Sequence, residues 1–229
     1  MKIHHIIEKK LEEGPNDPHI FKAVFLAGGP GSGKTFVANK MLSGTGLRPI
    51  NSDEVYEYLM TKQGLEMDPD VISSPQGQEL RDKAKEISRK RERHYLDGRI
   101  GLIIDGTGKN IEKYATMVQK LKAIGYEVAM LYVNTSLEVA QERNLQRKRS
   151  LQPAMVKNMW NEVQDNMMQF QQIFGAQNFL IVDNSGGLED PQRSKNFNVV
   201  DKELRKFLNS EPLHQKAVKW IADQRSRIK

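Results

Sequence analysis

The sequence predicts an α/β fold in which a five-stranded parallel sheet is covered by helices on both faces. Strand and helix signals alternate along the 229 residues, the pattern of a sheet built from crossover units. Several strand candidates are near-continuous apolar runs, as expected of strands buried on both sides. A glycine-rich turn directly after the first strand leads into a helix. The strands are expected at Ala23–Ala27, Leu47–Asn51, Gly101–Asp105, Glu127–Val133 and Asn178–Asp183.

The crossovers carry helical periodicity. Phe36–Leu42 follows the first strand, and Val55–Met60 follows the second. Ile111, Tyr114, Ala115, Val118 and Leu121 trace one helix face, which Gly125 ends. A helix begins near Ser136, and another runs from Pro153 through Val156, Trp160, Val163, Met167 and Phe170 to Phe174, ending at Gly175. Large apolar residues at that spacing are read as core. Ser185–Asn196 is polar and glycine-rich and reads as a loop, followed by two short basic helices over Asp201–Leu208 and Leu213–Ile228.

The turn after the first strand is Gly28-Gly29-Pro30-Gly31-Ser32-Gly33-Lys34-Thr35. It fits G-x-x-x-x-G-K-[ST], the phosphate-binding P-loop. Glycines let successive backbone N–H groups converge on a β-phosphate. Lys34 reaches the β/γ-phosphates as a point charge, the Thr35 hydroxyl ligates Mg²⁺, and the following helix aims its positive end at the same anion. A bare turn would need none of this spelling, so the chain is expected to bind a nucleoside triphosphate. The fold class is then the three-layer sandwich of P-loop NTPases, with helical additions at both ends. Residues 1–20 are expected to form an N-terminal helical extension, with Ile3, Ile6, Ile7 and Leu11 on one face. Residues 21–185 form the core, and 186–229 a loop and basic helices.

Composition narrows the setting. There is no cysteine, which excludes disulfides and thiolate metal sites and is compatible with a reducing cytoplasm. No apolar stretch is long enough to span a bilayer, and the first residues lack a signal-peptide core. The net charge of +6 is concentrated at Arg81–Arg99, Arg143–Arg149 and Lys216–Lys229. Such clusters suit an anionic partner: a nucleotide, a nucleic acid or a phosphorylated metabolite. In the first cluster Asp82, Glu86 and Glu92 are interspersed, so a solvated helix face fits it equally well.

In an open α/β sheet, reacting groups gather beyond the carboxyl ends of the strands. Asp105 closes Leu102-Ile103-Ile104-Asp105, where an acid holds the metal that lies between it and the triphosphate. Capping the following turn is the plainer role for it. Asp53, at the end of the second strand, is placed to take or orient the proton of an acceptor hydroxyl. It also precedes a helix that it would suit as an N-cap, and both roles fit. Arg143 and Arg147 lie four apart on one helix face, and with Arg149 form a basic segment leading into a loop. Guanidinium groups on such a lid spread charge over a transferring phosphoryl group. The lid is expected near residues 143–153.

Glu142-Arg143-Asn144-Leu145-Gln146-Arg147-Lys148-Arg149-Ser150-Leu151-Gln152-Pro153 resembles the lid of phage-type polynucleotide 5′-hydroxyl kinases. The stretch from Ala23 to Ser185 is similar to the wider group of P-loop kinases that holds those enzymes and the zeta-toxin kinases. Leu102–Thr107 and Gly125-Tyr126-Glu127-Val128 look especially zeta-like. The resemblance implies Asp53 as general base, Arg147 as the lid arginine at the transferring phosphate and Arg143 as a nucleotide contact. One departure is Tyr56, at a position where the polynucleotide kinases carry an acceptor-engaging arginine.

The expected activity is therefore transfer of the γ-phosphoryl group of Mg·ATP to a hydroxyl or phosphate on a nucleic-acid end, nucleotide or nucleotide sugar. The alternative from another class is a triphosphate-gated switch, or a nucleic-acid-binding module using its basic helices. An AAA-type motor would need an acidic pair where Asp105 is followed by Gly106, and a GTPase would need N-K-x-D, which is absent.

Overall fold

The computed structural model describes residues 15–146, 150–187 and 189–228. The N-terminal helix expected around Ile3–Leu11 lies outside these residues. The strands are β1 (Lys22–Ala27), β2 (Arg48–Ile50), β3 (Leu102–Asp105), β4 (Glu127–Asn134) and β5 (Phe179–Asp183), within a residue or two of expectation. They pair in parallel throughout, in the order β2-β3-β1-β4-β5. The described helices are α1 (Lys34–Leu42), α2 (Ser52–Lys62), α3 (Pro69–Ser73), α4 (Pro75–Asp97), α5 (Ile111–Ala123), α6 (Leu137–Leu145), α7 (Pro153–Asp165), α8 (Met167–Phe174), α9 (Pro191–Asn209) and α10 (Gln215–Ile228).

Every residue of β1 is buried, and its side chains alternate between two cores. Ala23, Phe25 and Ala27 pack with Tyr114, Val118, Met130, Tyr132, Phe170 and Phe174 on one face. Val24 and Leu26 pack with Val37, Leu131, Val133, Phe197, Val200 and Leu204 on the other. A third, smaller cluster joins α2 to α4 through Val55, Tyr56, Leu59, Met60, Leu80 and Ala84.

Helix ends follow local chemistry. Asn110 accepts from the Lys113 N–H at 2.9 Å and Ser136 from the Val139 N–H at 3.3 Å, while Pro153 and Pro191 open α7 and α9. Two expected helices differ. The single helix expected from Pro153 to Phe174 is divided in two at Asn166, where the buried side-chain amide donates to the Gly108 and Lys109 carbonyls at 2.8 and 2.9 Å. Helical backbone bonds run across this position, from Asn166 N–H to Glu162 and from Phe170 N–H to Asn166, so α7 and α8 adjoin with no loop between them. The helix expected over Asp201–Leu208 begins already at Pro191, capped by Asp190. Its inward stripe of Arg193, Phe197, Val200, Leu204 and Leu208 is narrow, which left the surrounding sequence reading as a polar loop.

At the amino edge of the sheet Lys22 is fully buried. It forms an ion pair with Glu127, donates to Ser210 Oγ at 2.7 Å and lies 5.0 Å from the Phe207 ring centroid. The other Glu127 oxygen accepts from the Leu213 N–H at 2.9 Å. This cluster ties the chain between α9 and α10 to the sheet, while Trp220 of α10 packs edge-on to Phe21 at 5.5 Å. No described helix is long and apolar enough to cross a membrane.

Removing one partner of a buried ion pair strands the other charge. Glu127→Ala is therefore expected to destabilise the fold by about 3 kcal/mol, read as a lower urea midpoint with an unchanged slope.

Candidate active site

Because every strand is parallel, Ala27, Ile50, Asp105, Asn134 and Asp183 all end at one edge of the sheet. β1 is flanked by β3 and β4, so the chain leaving it enters the crevice where strand order reverses, the usual ligand position in such sheets. The glycine-rich turn occupies that position. Gly28–Thr35 line a cavity of about 450 Å³ together with Thr107, Arg143, Leu151 and Met159.

Two of its glycines are required by geometry. Gly31 and Gly33 have φ of +75° and +78°, and a Cβ would drive into the Ala140 carbonyl from Gly31 or into the Asn184 amide from Gly33. Gly33 is also the residue from which α1 departs. The cradle has polar atoms prepared for an anion. The Ser32 hydroxyl and Arg143 Nη1 are both buried without a hydrogen-bond partner among the described residues. Burial, together with the nearby charge of Arg193, holds the Arg143 guanidinium below its ordinary pKa. A bound anion would relieve both penalties.

Lys34 at the first position of α1 forms an ion pair with Asp105 at the end of β3. Thr35 follows it and is exposed. Asp105 belongs to a second cavity, of about 610 Å³, lined by Asn51, Ser52, Asp53, Lys85, Ser88, Arg89, Glu92, Lys109, Asn110, Lys113 and neighbouring apolar residues. Thr107 lines both cavities, so they adjoin across Thr107 and the Lys34–Asp105 pair. Tyr114, also on the second wall, donates to the Leu26 carbonyl at 2.8 Å. Burial, and secondarily the Asp105 charge, push its hydroxyl pKa up, so it stays a donor.

Asp53 does not cap α2. The cap is Asn51, whose side chain accepts from the Asp53 N–H at 2.8 Å. The Asp53 carboxylate is left exposed on the wall of the second cavity. The basic run Arg81–Arg99 divides between both readings of it. Lys85 and Arg89 line the cavity, whereas Lys90 pairs with Glu86 on the solvent side of α4. Lys109 pairs with Glu162 at 2.9 Å. Tyr56 is buried in the α2–α4 cluster under the Arg81 guanidinium, 4.9 Å from the ring centroid. Arg147 and Arg149 lie outside the described residues.

Several contributors escaped sequence reasoning. Asn144 is buried, and its amide donates to the Leu151 carbonyl at 2.8 Å and accepts the Leu151 N–H at 3.0 Å, which ties the end of α6 to the chain entering α7. Trp160 donates to the Thr135 carbonyl at 2.8 Å, with its backbone beside Gly29. Asn184 donates to the Ser32 carbonyl at 2.7 Å. Asn184 directly follows the last strand residue, Asp183, which is the signal that could have found it. The 193–197–200–204 spacing would have exposed Arg193 as facing inward.

The zeta toxin family model matches residues 7–190, and no curated protein matches. Among solved structures, one from the PezAT chromosomal toxin–antitoxin system of Streptococcus pneumoniae is 18% identical, covers 90% of this chain and 95% of its own, and has a TM-score of 0.59. The AvrRxo1-ORF1:-ORF2 structure with ATP is 13% identical, with 95% and 88% coverage and a TM-score of 0.52. A putative kinase from Chloroflexus aurantiacus is 15% identical, with 82% and 98% coverage and a TM-score of 0.52. These likenesses show a shared fold.

Gly31 and Gly44 both have left-handed φ, but a Cβ at Gly44 meets nothing within 4 Å. Gly31→Ala is therefore expected to lower the melting temperature by at least about 4 °C more than Gly44→Ala, as measured by calorimetry on the two variants.

Proposed function

The chain belongs to the zeta toxin family, and we propose that it is an ATP-dependent kinase that phosphorylates an anionic acceptor in the cavity beside its P-loop. The observation that carries this reading is the pair of adjoining cavities. One is a glycine cradle with unpartnered donors, the other a carboxylate-bearing chamber, and Lys34, Asp105 and Thr107 stand at their junction. A switch protein needs the first cavity alone. A transferase needs both.

In this reading ATP lies with its β- and γ-phosphates in the Gly28–Thr35 cradle, held by backbone N–H groups, Lys34 and Arg143. That a protein of similar fold has been solved with ATP supports the nucleotide. The acceptor hydroxyl faces Asp53, which accepts its proton as the oxygen attacks the γ-phosphorus. The bond from γ-phosphorus to the bridging oxygen breaks, and ADP leaves. The products are phosphorylated acceptor, ADP and the proton taken by Asp53. Lys34 leaves Asp105 to follow the charge on the transferring group, and Arg147 adds a second cation from the lid.

The oxygen donors at hand suit Mg²⁺: the Thr35 hydroxyl and the Asp105 carboxylate would hold it, and it would neutralise phosphate charge. No group of three or more His, Cys, Asp or Glu side chains able to hold a metal by itself occurs among the described residues. Lys85, Arg89, Lys109 and Lys113 around Asp53 favour an acceptor that carries negative charge. A nucleotide, a nucleotide sugar and a nucleic-acid 5′-end all meet that condition.

Transfer of γ-labelled phosphate from ATP to these three acceptor types, beside an acceptor-free control, tests the reading. Lys34→Ala should lower transfer by at least about 10²-fold. Asp53→Asn should keep ATP binding and lose about 10²–10⁴ in turnover, and Arg147→Ala should affect turnover far more than ATP affinity. Phosphate release to water alone, equal with every acceptor, would overturn the kinase assignment. Near wild-type transfer by Asp53→Asn would remove it as the base.

A further inference from the structure

The Ser32 carbonyl is bonded to a residue 152 positions away, the Asn184 side chain at 2.7 Å. Asn184 is itself pinned. It is 2% exposed, its N–H donates to the Asn134 carbonyl at 2.9 Å, and its carbonyl accepts from Thr135 Oγ1 at 3.5 Å. A primary amide can present either end to a neighbour, and here Arg193 decides which. Its Nε and Nη2 both donate to Asn184 Oδ1, at 2.9 and 2.7 Å. A guanidinium has no acceptor, so the amide oxygen must face it and the NH₂ must face Ser32.

Arg193 in turn has little freedom. It is 8% exposed, lies 5.3 Å and 4.9 Å from the Phe36 and Phe197 ring centroids, and its Nη1 donates to the Gly187 carbonyl at 3.3 Å. A buried guanidinium whose shortest bonds go to one side-chain carbonyl is more than packing alone asks of this position.

We infer that Asn184 and Arg193 are positioning residues of the nucleotide site, which orient the Ser32–Gly33 peptide so that the Gly33 N–H points into the phosphate cradle. The peptide is planar and trans, so its C=O and N–H point in opposite directions. Fixing the Ser32 oxygen outward, toward Asn184, fixes the Gly33 N–H inward. The missing side chain of Gly33 belongs to the same device, because a Cβ there would occupy the place of the Asn184 amide. The inference rests on the triphosphate reading of the cradle.

The test uses full-length protein, with calorimetric titration of ATP and of ADP, and a thermal melt of every variant. Asn184→Asp keeps the size of the side chain and an acceptor for Arg193, but turns an oxygen toward the Ser32 carbonyl. It should weaken ATP and ADP alike by about tenfold, with a cooperative melt retained. Arg193→Gln should weaken both nucleotides. Arg193→Lys, which keeps a charged donor for Oδ1, should recover most of that loss, which a purely structural role would not require. Binding by Asn184→Asp within about twofold of wild type would overturn the inference and leave the kinase reading standing. Wild-type protein that binds neither nucleotide would overturn both. Should Asn184→Asp fail to fold, the Arg193 pair decides: equal affinities for Arg193→Gln and wild type would overturn the inference.

Discussion

Strand β1 pairs on both edges, with β3 on one side and β4 on the other, and buries side chains on both faces. A strand enclosed in this way has no tolerated slip, since a shift of one residue would exchange the Ala23–Phe25–Ala27 and Val24–Leu26 sets between cores of different shape. Its position therefore determines where the chain emerges after Ala27. With Leu26 opposite Asp105 in the parallel ladder, the P-loop and the acid at the end of β3 must lie side by side. The Lys34–Asp105 pair and the meeting of the two cavities follow from that register.

What holds the loops at this edge is mainly asparagine. Asn51 caps α2, Asn144 binds Leu151 through both of its functional ends, Asn166 receives the turn at Gly108 and Lys109, and Asn184 binds Ser32. Loop backbone near a ligand site cannot satisfy its polar groups through a sheet or helix ladder. An amide side chain supplies one donor group and one acceptor without adding charge that would compete with an anionic ligand. Charged side chains instead line the two cavities: Lys34 and Arg143 at the cradle, and Lys85, Arg89, Lys109 and Lys113 at the second. The opposite edge of the sheet is fastened differently, by buried Lys22 and Glu127, where a charged pair fixes the chain between α9 and α10.

The sequence by itself determined the parallel α/β class, the strand positions and the cradle. Each rests on local information: apolar runs of strand length, helical periodicity, and a glycine–lysine–threonine spacing whose backbone demands are met within eight residues. It also marked Asp53 and Asp105 by their places at strand ends. Tertiary structure alone decided what depends on groups distant in the chain. Asn51 takes the cap of α2 and so leaves the Asp53 carboxylate on the cavity wall. The division between α7 and α8 falls at Asn166, whose amide bonds carbonyls nearly sixty residues earlier. Arg193 read as part of a polar loop, because a helix with one narrow buried stripe is mostly polar in sequence; the 193–197–200–204 spacing puts it on the buried face, but its partners Phe36, Phe197 and Asn184 are set only by the tertiary structure. Hydrogen-bond direction at a buried amide is a property of its neighbours in space, and no spacing along the chain encodes it.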